Sequence, residues 1–93
     1  MAKEVKMRIK NGFMLRDIAG QAVVVPLGSR VVEFNGIMTL SESGALLWRK
    51  LENDASFEEM VDLLITEYDI DRETASKDIE NFLESMRSKN ILE

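Results

Sequence analysis

The spacing of apolar and polar side chains changes character once along this chain, near residue 40. From Phe13 to Leu40, β-branched and aromatic residues are broken up by turn formers, as in short strands; from Ser41 onward apolar residues recur every three or four positions, the period of helices. Phe13 to Asp17 and Gln21 to Val25 read as two strands joined around Ala19-Gly20, where Gly20 supplies the backbone freedom of a tight turn. Pro26 ends the second strand because it has no N–H to donate. Arg30 to Phe34 and Ile37 to Leu40 flank Asn35-Gly36, a dipeptide suited to positive φ at both central turn positions, and so predict a second hairpin. Residues 1–6 read as a frayed basic tail, although Val5, Met7 and Ile9 alternate with Lys6, Arg8 and Lys10 as an edge strand would.

Three helices are predicted next, each with its own start signal. Ser41 caps the first, whose apolar stripe runs Leu40, Gly44, Leu47, Trp48 and Leu51. Ser56 and Glu59 form a capping box for the second, with Phe57, Met60, Val61, Leu64 and Tyr68 as its buried stripe and only acids among the charges on its exposed face. Asp71 caps the third, Ile70 staples onto Ala75, and the stripe continues through Ile79, Phe82, Leu83 and Met86. Asn90 is placed to take a left-handed conformation that closes this helix and folds Ile91 back onto Met86. The short link between the second and third helices has helix-turn-helix spacing.

A chain of 93 residues, 45% hydrophobic and 31% charged, fits a single globular domain over 1–93. No apolar run is long enough to span a bilayer and no signal peptide is evident, so the expectation is a cytoplasmic protein without a membrane partner. Cysteine and histidine are both absent, which removes disulfides, thiolate metal sites and most nucleophile–base pairs, and no cofactor or catalytic residue is expected. The net charge of −5 hides a gradient. Residues 1–30 hold six cations against Glu4 and Asp17, a balance of +4, whereas residues 51–93 hold 13 acids against four cations, a balance of −9.

Asp69, Asp71, Glu73 and Glu80 echo the acid spacing of a calcium loop, but Thr74 stands where that loop needs glycine, and helix capping explains the acids instead. The acidic run from Glu52 to Asp71 reads as a solvated helix face, with docking to a basic partner as its functional alternative. Trp48 and most of the methionines read as core, with Met38 the exception. Arg72, Glu73, Ser76, Lys77 and Glu80 lie near the start of the third helix, where a winged-helix DNA-binding protein would read bases; the bordering acids argue against nucleic acid.

Leu40-Ser41-Glu42-Ser43-Gly44-Ala45, followed by Trp48 and Leu51, resembles the PqqD family, whose members carry a Leu-Asn-Glu-Thr-Gly or Ala segment leading into such a helix. Ser56 with Glu59 and Met60-Val61, then Tyr68-Asp69-Ile70-Asp71, then Asp78-Ile79, Phe82-Leu83, Met86 and Ile91-Leu92 follow the family's order, so that the likeness covers about residues 12–92. Ser41 and Ser43 depart from the usual Asn and Thr, and both keep a capping hydroxyl.

The resemblance implies an α+β, winged helix-turn-helix-like domain with N-terminal antiparallel strands followed by three helices. It further implies a non-catalytic chaperone that grips the leader of a ribosomally made precursor peptide and presents it to a modifying enzyme of the radical S-adenosylmethionine type. In the family the peptide lies between the last strand before the first helix and the third helix. That maps onto Ile37, Met38, Thr39 and Leu40 and onto Asp78, Phe82 and Met86, with Ile37 and Thr39 on one strand face and Met38 and Leu40 on the other. Phe82 and Met86 are open to a core role as well. A structural subunit of a larger complex is the remaining alternative.

Overall fold

Ala19 and Gly20 both take positive φ, 54° and 80°, and fold β2 (Phe13–Ile18) against β3 (Gln21–Pro26) in the computed structural model, which describes residues 5–33 and 37–93. Positive φ at both central positions is the geometry whose twist matches that of the flanking strands. Ile18 and Gln21 are partners across that turn, and with two residues between them they pair by exchanging both backbone hydrogen bonds. The alternation of a strand then fixes the rest. Val23 and Val25 aim their N–H and C=O groups at β2, while Ala22 and Val24 aim theirs at β4 (Met38–Leu40), where Leu40 and Met38 are their partners. Pro26 faces away from β2, so its missing N–H removes no bond of the β2–β3 ladder. The sheet order is β2-β3-β4, antiparallel throughout.

One face of this sheet supplies Leu15, Val24, Met38 and Leu40 to the core, three helices supply most of the rest, and Ile9, Ala55 and Ile91 complete it. α2 (Glu42–Leu51) starts where the Ser41 hydroxyl accepts from the Gly44 amide at 3.1 Å. α3 (Phe57–Tyr68) starts at the full Ser56–Glu59 capping box, and α4 (Arg72–Ser88) where Asp71 accepts from the Thr74 amide at 2.9 Å. Their stripes meet with Trp48, Leu51, Met60, Val61, Ile79 and Met86 fully buried, each such side chain contributing about 1.5–3 kcal/mol of apolar burial. Trp48 is core, and its indole N–H reaches Glu52 at 3.3 Å. Asn90 takes φ 60°, and the Ile91 amide returns to the Met86 carbonyl at 2.9 Å, which closes α4 as expected.

The N-terminal segment is a strap. β1 (Lys6–Met7) pairs with β5 (Ala55–Ser56), Ile9 bridges to Leu92, and the Lys10 amide bonds the Ile91 carbonyl at 2.8 Å. Lys6 therefore belongs to a strand rather than to the frayed tail expected over residues 1–6, of which 1–4 lie outside the described residues.

The strand predicted over Arg30 to Phe34 is not formed at Arg30–Glu33, and Phe34 lies outside the described residues. Arg30–Glu33 forms a one-turn helix, α1, held by amide bonds from Val31 to Gly28 and from Val32 to Ser29. The physical reason is tertiary. The Arg30 side chain lies over Gly12 so closely that a Cβ there would sit 2.6 Å from its Cγ, donates to the Asn11 carbonyl at 3.1 Å, and stacks 5.6 Å from the centre of the Phe13 ring. With Val31 and Val32 both exposed, no buried face remains for a strand. The strand over Met38–Leu40 pairs with β3 instead, and the Asn35-Gly36 turn lies outside the described residues.

Candidate functional site

β4 has a paired side and an open side. Met38 and Leu40 spend their backbone groups on β3, so Thr39, opposite Val23, points its N–H and C=O away from the sheet. That open edge faces α4 across a groove of about 390 Å³. Met38, Thr39, Leu40, Asp78, Phe82 and Met86, six of the seven residues expected at the site, line it together. Ile37 does not; it is 69% exposed at the mouth of β4.

Their roles differ with burial. Met86 is fully buried and forms floor, whereas Phe82 is half-buried and presents ring surface to the groove. Asp78 is exposed and makes no hydrogen bond or ion pair among the described residues, which leaves its carboxylate available. Asn81 and Ser85 were not expected but also line the groove, as do Ser43 and Gly44 from the start of α2. Helical spacing is the signal that finds the first pair, since Asn81 follows Asp78 by three and Ser85 follows Asn81 by four. The groove thus combines an unpaired strand edge, an apolar floor and a polar rim, which can hold an extended chain by backbone pairing and sort it by side chain.

The chemistries weighed against this one are otherwise engaged. Asp69 closes α3 in a left-handed conformation at φ 50°, and Asp71 caps α4 with its carboxyl held below the ordinary value by the Thr74 hydrogen bonds. Among the described residues no group of three or more potential ligands is placed to hold a metal ion. On the helix-turn-helix, the Arg72 guanidinium is divided between Glu58 at 2.8 Å and Asp62 at 3.0 Å, so the cation nearest the start of α4 is neutralised by α3. Of the described residues no helix is long and apolar enough to cross a membrane.

Residues 21–92 match the family model described as coenzyme PQQ synthesis protein D, PqqD. No curated protein matches the sequence. Among solved structures, the chain is similar to TbiB1 in complex with the TbiA(beta) leader peptide, with 28% identity and a TM-score of 0.74 over 92% of this chain and 94% of that one. It also shares its fold with lasso peptide synthetase B1 complexed with the leader peptide, with 18% identity and a TM-score of 0.75 over 96% of this chain and 99% of that one.

Proposed function

The chain belongs to the PqqD family, and from that premise we propose that it is a non-catalytic adaptor that receives the leader of a ribosomally made precursor peptide on the open edge of β4. The observation that carries this reading is the position of Thr39: its unpaired backbone groups face α4 across the groove lined by Asp78, Phe82 and Met86. An extended leader segment pairs there antiparallel to β4 and becomes a fourth strand, with Phe82 and Met38 selecting apolar side chains. The similarity to TbiB1, whose complex holds a leader peptide, supports the same class of ligand here. Presentation to a modifying enzyme, of the radical S-adenosylmethionine type, completes the proposed role in the cytoplasm. No nucleic acid, metal or organic cofactor takes part.

The test is a titration of isotope-labelled protein with peptides selected on it from a random-sequence display library. Amide shifts are expected along residues 37–40 and 78–86. Shifts confined to α3 between Glu58 and Glu67 would move the docking surface to the acidic helix face and end this assignment.

A further inference from the structure

The groove does not stop at the end of β4. A second hollow of about 330 Å³ continues from it around the start of α2, and the two share Ser41, Ser43 and Asp78. Its floor is buried Leu64 with half-buried Tyr68 and Ile70, and its rim carries the carboxylates of Glu42 and Asp78. Both acids are exposed, and neither has a hydrogen-bond or ion-pair partner among the described residues. Burial first, then the charges of Glu42 and of Glu67, push the Tyr68 phenol above its ordinary value, so the Glu42 charge is felt at this floor. Lys77, next to Asp78 in the chain, lines a third hollow together with Asp71, Glu73, Thr74 and Asp78 itself, and forms no ion pair with Asp78.

We infer that this second hollow takes a lysine or arginine side chain of the same precursor peptide, a few residues N-terminal to the segment that pairs with β4. The inference rests on the peptide reading above and names the chemistry of the ligand's next contact. β4 runs toward Ser41, so a strand antiparallel to it runs away from Ser41, and the stretch above the α2 start is its N-terminal part. The shape of the hollow fits a cation on an apolar stem: methylenes rest on Leu64, Tyr68 and Ile70, and the charged head meets Glu42 and Asp78 at the wet rim. A leucine or methionine would fill the same floor but leave both carboxylates unpaired. An acidic residue would be repelled.

The test starts from display-selected peptides whose titration shifts the amides of Met38 to Leu40. These should be enriched in lysine or arginine N-terminal to the paired segment. One such peptide and its analogue with that residue replaced by methionine are then titrated calorimetrically against the wild type and against the Glu42→Gln, Asp78→Asn double variant. Because the pair is exposed, the replacement is expected to weaken binding about three- to five-fold on the wild type and hardly at all on the variant. Equal losses on both proteins, or β4-binding peptides with no cationic enrichment, overturn the second hollow and leave the β4 reading standing. Selected peptides that never shift β4, or a selection that yields no binder, count against both.

Discussion

Lys6 Nζ lies 2.6 Å from Glu59 Oε1, the oxygen that also accepts the Ser56 amide at 2.9 Å, so one carboxylate completes the α3 cap and anchors β1. These bonds, the Lys6 contact first, lower the Glu59 pKa from 4.5 to about 2. A depressed carboxylate stabilises the fold above its unfolded value, and that contribution drains away as pH falls from about 4.5 toward about 2. Thermal melts should therefore show the wild type above Glu59→Gln at neutral pH and the two converging near pH 2. A gap that stays constant over this range would show that the pair does not titrate as described.

Thr39→Pro deletes an N–H that faces away from β3, and Met38→Pro deletes one that bonds the buried Val24 carbonyl. The first variant should melt near the wild type yet bind selected peptides about five- to ten-fold more weakly, the worth of one backbone hydrogen bond. The second should lose about 1–3 kcal/mol of stability, because a buried carbonyl is left without its donor. Denaturation and binding measured side by side would separate them, and the reverse pattern would mean that the ladder alternation is misassigned.

Met86→Ala and Phe82→Ala should divide in the same way. Met86 is fully buried, so its truncation should cost about 2–5 kcal/mol in urea unfolding. Phe82 is half-buried at the groove, so its truncation should cost less stability and more peptide affinity.

Duplex DNA should bind no better than to other acidic proteins, since Arg72 is already paired with Glu58 and Asp62 and acids flank the rest of the α4 start. Fluorescence anisotropy at low salt reads this directly. Tight, salt-sensitive binding would favour the winged-helix alternative.

What was legible in the sequence follows the range of the forces involved. The caps at Ser41, Ser56 and Asp71 are bonds between residues three apart, so the pattern alone located every major helix start. The β2–β3 hairpin was legible for the same reason, because Ala19-Gly20 carries its own turn geometry. Over Arg30 to Glu33 a helical turn replaces the expected strand because local alternation competes there with the contact of Arg30 on Gly12 and Phe13, which no local pattern encodes. The neutralisation of Arg72 was invisible likewise, since it depends on how α4 packs against α3. At the groove, six of seven residues converge, and Ile37 falls outside because β4 begins one residue later than expected.

The two connections of the sheet differ in what they tolerate. Between β2 and β3 the two-residue turn sets the register, so an added residue there would slip every partner and turn Val24 out of the core. Between Pro26 and Met38 the described residues make one helical turn with Val31 and Val32 in solvent, and none of those described residues lines the groove. Doubling such an excursion costs only about 0.6 kcal/mol of closure entropy. Its length is therefore free to drift between related sequences while the peptide-facing edge stays in register, and an inserted epitope or fluorescent reporter belongs there rather than at Ala19-Gly20.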